Sequence, residues 1–308
     1  MRAFLQRGSL FVLIGLVLYL LVYAAAEQLA ASHAKRNRFH VVKTAPLEHY
    51  DHVILGASRA AVFDYEDMNA RLESMTGAKI LNLSVAGGGI TVNRLLLEYF
   101  LAGHRTVNAV YFLDSFAFYA REWNEDRLKD TRLFVRAPFD PALARLLLRD
   151  SASFPVALDY LSGFSKINNP DRFKPDIGDD EAVKFKTSYR PVAQIDKQRI
   201  EYLYPETIDP QVFSHYLAQF EDLVRRLKRG NIRLIVIKPP LPARVYQVLP
   251  NEAQFDAALK AVLTRHGVEF HDFSLVGNDE RYFFNTDHLN RSGVLAFFEH
   301  YLKAILKI

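Results

Sequence analysis

Val53-Ile54-Leu55-Gly56-Ala57-Ser58-Arg59 is a short apolar run that breaks at a glycine directly before a serine, with a polar, helix-compatible segment behind it. Such a run predicts a buried strand, a tight turn and a helix start, with Ser58 on the turn. A hydroxyl held there sits at the carboxyl end of a sheet, beside backbone N–H groups and a helix N-terminus that can stabilise an oxyanion. The same residues also suit an ordinary strand-to-helix turn in which Ser58 caps the helix. What favours the first reading is the far end of the chain, where Asn285-Thr286-Asp287-His288-Leu289-Asn290 stands just before the last helical pattern and supplies a histidine.

Outward from Ser58 the pattern alternates. A strand over 52–57 is followed by a helix over 60–75 with Met68, Leu72 and Met75 on one face, a strand over 79–84, a helix over 91–102 and a strand over 107–114. This is the rhythm of a parallel sheet covered on both faces. It resumes with a helix over 210–229, whose Phe213, Leu217, Phe220, Leu223 and Leu227 keep helical spacing, and a strand over 232–237 that Lys238-Pro239-Pro240 ends. A helix around Phe255, Leu259, Val262 and Leu263, a strand over 268–270 and a closing helix over 294–306 complete the series. The expectation is one α/β domain over 51–308 with a five-stranded, mainly parallel sheet. Its site would gather Ser58, Gly87, Asp114, Pro239 and the turn after Asp272 at the strands' carboxyl ends.

Between about 115 and 209 the rhythm stops. The segment is rich in aromatics and mixed charges, among them Tyr119, Arg121, Trp123, Arg136, Tyr160, Phe173, Tyr189 and Arg190. Loops of that length are uncommon unless functional, so short helices over Pro141 to Asp150 and Phe154 to Phe164 are expected, either as a lid over the carboxyl edge of the sheet or as a structural cap.

Arg2 and Arg7 precede an uninterrupted apolar run from Leu10 to Ala26. That length is close to the roughly 17–25 residues a membrane-spanning helix needs and exceeds the about 7–15 of a signal-peptide core. Residues 1–27 read as an uncleaved anchor, and Ala24-Ala25-Ala26 before Glu27 keeps a cleaved signal peptide open as the rival. Lys35, Arg36, Arg38 and Lys43 follow the span and compete with the two N-terminal arginines. The short N-terminal tail sets amino-end-inside as the default. Residues 28–50, polar and basic, read as a linker.

The 308 residues, 50% hydrophobic and 24% charged, suffice for a substantial core. Net charge is +4 with Lys and Arg spread along the chain rather than gathered in a stripe, which argues against a nucleic-acid module and permits an anionic surface or polymer as neighbour. The absence of cysteine excludes disulfides, thiolate metal sites and a cysteine nucleophile.

Gly56-x-Ser58, Asn82-x-Ser84 followed by Gly87-Gly88-Gly89, and the late His288 together resemble the SGNH (GDSL-like) hydrolase superfamily, and in detail its membrane-anchored branch that acylates bacterial cell-surface polymers. The resemblance covers 51 to about 115 and 230–308 and leaves the middle unexplained. It implies an α/β SGNH-like three-layer fold and a serine-dependent O-acyltransferase or esterase acting on an exopolysaccharide or other cell-envelope polymer. Ser58 would attack the acyl carbonyl and His288 would take its proton. The oxyanion would be held by the Ser58 backbone N–H with help from Gly87, Gly88 and Asn82. No cofactor is implied. A glycan substrate and a membrane-bound acyltransferase donor are, as is a place on the inner membrane with the domain on the periplasmic side.

Two features depart from the family. It has an aspartate three residues before the histidine, and Asn285 stands there, with Asp287 adjacent and equally able to cap the last helix. Asn can fix an imidazole but not stabilise the imidazolium, and the analogous Asp-to-Asn change in a serine protease costs about 10⁴ in rate. Catalysis then calls for Asp114, Asp272 or Asp287 within about 3.2 Å of the His288 nitrogen facing away from Ser58. Otherwise the chain is a non-catalytic SGNH-like binding or assembly subunit. The family's Gly-x-Asn-Asp block is also replaced, by Leu113-Asp114-Ser115.

Other chemistries fit less well. A dinucleotide turn needs further glycines where Ala60, Ala61 and Val62 follow. For metal, His49 with His52 lacks a third ligand nearby, and His271-Asp272 is a single pair.

Overall fold

A computed structural model describes residues 1–34, 36–149, 153–168, 179–277 and 279–308; Lys35, Asp150 and Phe173 lie outside the described residues. The chain divides into two compact units, one of Met1–Thr44 with Leu128–Asp176, the other of Ala45–Arg127 with Ile177–Ile308.

The larger unit is α/β. Its five strands are β1 (His49–Gly56), β2 (Ile80–Asn82), β3 (Arg105–Phe112), β4 (Arg233–Lys238) and β5 (Glu269–Asp272). They lie in the order β2-β1-β3-β4-β5, every neighbouring pair parallel. The chain steps from β1 to one side for β2 and to the other for β3, so the topological switch falls between the carboxyl ends of β1 and β3, where Ser58 and Asp114 follow their strands.

Helices cover both faces, and two consecutive residues of β3 show it. Tyr111 meets Phe220 of the Pro210–Arg229 helix at 5.9 Å between ring centroids, while Phe112 meets Phe63 at 4.9 Å on the opposite face. Phe63 in turn packs against Phe297 and Phe298 of the C-terminal helix. Successive side chains of a strand point to opposite faces, so a run such as Val110-Tyr111-Phe112 must be apolar throughout. Burial of each such ring stabilises the fold by about 1.5–3 kcal/mol.

The expected helix over 60–75 is two pieces. Ser58–Ala61 runs into a 3₁₀ turn at Val62–Asp64, and a new helix spans Met68–Thr76. Glu66 between them has φ 52°, which no helix interior accommodates. The last helix starts at Arg291, and its cap is Asn290, whose side chain accepts from Gly293 N, rather than Asp287. It continues through a π-type turn at Phe298–Leu302 to Leu306.

In the smaller unit the apolar N-terminal run forms one helix, Arg2–Ser32, long and apolar enough to cross a membrane. Residues 28–50 are not an open linker: the helix continues to Ser32 and a second spans Arg38–Thr44. Phe39 and Val42 give this stretch an apolar face, and Phe39 packs against Phe134 at 5.0 Å. The helices Pro141–Arg149 and Phe154–Ser162 form close to where the sequence predicts them, but they group with the N-terminal helix rather than with the sheet. Tyr19 OH donates to Ser162 O at 2.7 Å, and the Lys166 ammonium donates to Glu27 and to Ala137 O.

Candidate active site

Gly56 ends β1 with φ +146°, a conformation open to glycine, and a Cβ there would lie 2.8 Å from Phe112 O. The close approach of β1 to β3 turns the chain sharply, so Ser58 opens a short helix at the strand's end. Ala57 occupies the cap position and no side chain caps that helix. The Ser58 hydroxyl instead faces the other end of the sequence: its Oγ is 2.7 Å from His288 Nε2. Ser58 is 7% exposed and His288 fully buried.

His288 is carried on a tight loop. Phe283 bridges Leu289 in antiparallel register, Phe284 N donates to His288 O at 3.0 Å, and the Phe284 ring stacks on the imidazole at 5.6 Å. Asn285 Oδ1 accepts from the N–H groups of Asp287 and His288 at 3.1 and 2.9 Å, and lies 3.0 Å from His288 Nδ1. Asp287 Oδ1 stands 3.3 Å from the same nitrogen. Both groups thus meet the ring side facing away from Ser58, Asn285 at hydrogen-bonding distance and Asp287 just beyond the 3.2 Å expected of a supporting acid. Asp114 and Asp272 are engaged elsewhere, Asp114 with Arg59 at 2.5 Å and Asp272 with the Ser274 turn.

Beneath the serine and histidine lies an ion network that the sequence reading lacked. Arg59, 5% exposed, reaches Asp114 Oδ1 through Nη1 and Asp287 Oδ2 through Nε and Nη2, both at 3.3 Å. Arg199, from the Ala193–Leu203 helix, grips Asp287 bidentately at 3.0 and 3.1 Å. Two guanidiniums and two carboxylates balance in charge, which makes the burial tolerable. Burial opposes ionisation of Asp287, but Arg199, the neighbouring His288 and Arg59 prevail and hold its carboxyl far below the usual range. Burial pushes the Asp114 carboxyl up, against the pull of Arg59. A carboxylate fixed as an anion 3.3 Å from Nδ1 can stabilise an imidazolium when one forms.

One signal for Arg59 was present in the sequence: a charged residue directly after the serine, in a segment destined for burial, needs a buried acid. Arg199 carried none, because it lies in the stretch without periodicity.

The oxyanion candidates separate in their bonding. Asn82 Nδ2 donates to Ala60 O at 2.9 Å and its Oδ1 accepts from Ser84, so this side chain ties the Ser58 helix to the glycine loop. Gly88 N donates to Val85 O at 2.8 Å. Gly87 lies at φ +66° against the Trp123 ring, and Ser58 holds the first position of its helix, where a backbone N–H has no partner within the helix. Among the described residues no cluster of three or more His, Asp or Glu could hold a metal ion.

No protein-family profile and no curated protein matches the chain. Among solved structures, a candidate acylhydrolase from Bacteroides fragilis aligns over 85% of this chain and 88% of its own at 9% identity and a TM-score of 0.41. A candidate platelet activating factor from Streptococcus pneumonia aligns over 97% and 99% at 13% identity and a TM-score of 0.42.

Proposed function

We propose that this chain is a serine-dependent acyl-ester enzyme of SGNH type, an O-acyltransferase or esterase acting on a glycan or cell-surface polymer outside the cytoplasm. The observation that carries the reading is the 2.7 Å contact of Ser58 Oγ with His288 Nε2 at the carboxyl ends of the strands. As Ser58 Oγ attacks the acyl carbonyl, its proton passes to His288 Nε2 and the carbonyl oxygen becomes an oxyanion held by the Ser58 and Gly87 N–H groups. Collapse expels the alcohol of the donor ester, which leaves with the proton from His288, and the acyl group stays on Ser58. A polymer hydroxyl or water then gives its proton to His288, attacks the acyl-Ser58 ester and departs with the acyl group, restoring the serine.

The sequence resemblance supplies the polymer, acetyl as the acyl group, and a membrane-bound acyltransferase as donor. The Arg2–Ser32 helix, long and apolar enough to span, supports a membrane anchor, while the bacterial inner membrane and the periplasmic side of the larger unit follow from the resemblance and the short N-terminal tail. Incubation of the full chain with an activated acetyl ester tests the chemistry: mass added at Ser58, and none in Ser58→Ala, is the expected result. In cells, Ser58→Ala is expected to abolish polymer acylation while polymer is still made.

A second reading, a non-catalytic binding or assembly subunit, draws on Asn285 as the nearest partner of His288 Nδ1. Intact acylation in the Ser58→Ala strain, with loss on deletion of the chain, would decide for it.

A further inference from the structure

The Phe154–Ser162 helix has two apolar sides. Val156, Ala157 and Tyr160 are buried inward, whereas Phe154, Leu158 and Leu161 are 46%, 53% and 37% exposed, and Phe164 just beyond is 60% exposed. Positions 154, 158 and 161 share one helical face. The outer side of a helix in a soluble unit ordinarily carries polar residues, and a large apolar face turned outward marks a partner.

What that partner is follows from the place where the helix is fastened. Tyr19 OH donates to Ser162 O at 2.7 Å, and Gly163 presses on Tyr23 so closely that a Cβ would sit 2.3 Å from the ring. Both tyrosines belong to the uninterrupted apolar run from Leu10 to Ala26. With a rise of 1.5 Å per residue, Tyr19 lies about 10 Å of helix inside the Ala26 end of that run. The Ser162–Gly163 turn is therefore held at the level of the apolar span, not beyond it. The ammonium groups nearby have internal partners: Lys166, 3% exposed, bonds Glu27 at the end of the span and Ala137 O, and Lys43 donates to Phe139 O and pairs with Asp140.

We propose that the face formed by Phe154, Leu158, Leu161 and Phe164 lies in the bilayer leaflet that receives the Ala26 end of the span, so that the smaller unit is seated in the membrane as well as tethered through it. The occupant is lipid acyl chain, because the turn that ends the helix is fastened to a span whose own exposed side chains are apolar at the same level. The inference rests on the reading of Arg2–Ser32 as a spanning helix.

The chain has no cysteine, so single cysteines at Leu158, Leu161 and Phe164 can carry an environment-sensitive fluorophore in the full-length protein. Leu16 within the run and Lys197 on the larger unit serve as references, and the protein is reconstituted in phosphatidylcholine–phosphatidylglycerol vesicles. Expected are blue-shifted emission, quenching by nitroxide on the acyl chains, and iodide quenching several-fold weaker than at Lys197 for all three sites. Iodide access equal to that of Lys197, with Leu16 still shielded, overturns the proposal and leaves the span intact, and a protein partner becomes the occupant to seek. Iodide access at Leu16 too overturns both the span and the seating.

Discussion

His288 Nδ1 lies 3.0 Å from Asn285 Oδ1, and that oxygen already accepts the backbone N–H groups of Asp287 and His288. Two backbone donors aimed at one amide atom fix it as oxygen, and an atom that only accepts requires the imidazole proton on Nδ1. Nε2 is then the unprotonated nitrogen, facing the Ser58 hydroxyl. In the proposed mechanism Asn285 sets the tautomer a general base needs, and the charge compensation usually combined with it in one aspartate would fall to Asp287 at 3.3 Å.

If those two duties are separate, Asn285 variants divide. Asn285→Ala removes the acceptor that orients the ring and is expected to lower kcat/KM for an activated acetyl ester by about 100-fold, within the range of a mispositioned general base. Asn285→Asp keeps the acceptor and adds an anion, and is expected to raise kcat/KM by about tenfold. Steady-state rates of the two variants, compared at equal folded concentration, check both directions.

Asp287→Asn leaves the Arg59 and Arg199 guanidiniums without their shared anion. Removal of one partner from a buried ionic group costs about 3–5 kcal/mol, more than the loss of any exposed pair. Urea unfolding of this variant is expected to show a loss of that order, with Arg71→Ala, which removes the exposed Arg71–Asp67 pair, near neutral by comparison.

The same residue sets the acid limb of stability. The folded Asp287 carboxyl titrates far below its unfolded value of about 3.9, so the unfolded chain takes up the proton first. Its stabilisation is complete above the unfolded value and is lost as pH falls from there toward the folded one. Between pH 7 and pH 3 the melting temperature of the native chain is expected to fall further than that of Asp287→Asn. Equal falls in the two proteins would remove Asp287 from the acid limb.

The five parallel strands were legible in the sequence because each central strand is buried on both faces and reads as an unbroken apolar run, as in Val53-Ile54-Leu55 and Leu234-Ile235-Val236-Ile237, whereas their order in the sheet was not. Ser58 and His288 were legible because each sits where a pattern stops. The fate of residues 28–50 was not, since the basic residues of that stretch mask the few that pack, such as Phe39 and Val42. Nor was the pairing of Arg199 with Asp287, a contact across 88 residues that no local period encodes. The split of 60–75 at Glu66 was hidden for a different reason: the apolar spacing continues through a backbone break that only φ reveals.

Gly56 offers a test of how tightly the fold controls the serine. An L-residue at φ +146° is strained by about 1–3 kcal/mol, and here its Cβ would also stand 2.8 Å from Phe112 O and 3.0 Å from Ala60 Cβ. Backbone oxygen cannot rotate away, so β1 and β3 must part, at a further cost of about 1–3 kcal/mol. Gly267 is the control, with φ +62° and nothing within 4 Å of an added methyl, so Gly267→Ala carries backbone strain alone, about 1–2 kcal/mol. Gly56→Ala is expected to lose about two to three times as much stability in urea as Gly267→Ala. Its separation of the strands also moves Ser58 against His288, a 2.7 Å contact with no slack. Active-site titration should therefore find Gly267→Ala fully reactive per folded molecule and Gly56→Ala slowed by about 100-fold, since misplacement by roughly 1 Å costs that much. Equal reactivity in the two variants would mean that the turn at Gly56 does not govern the position of the serine.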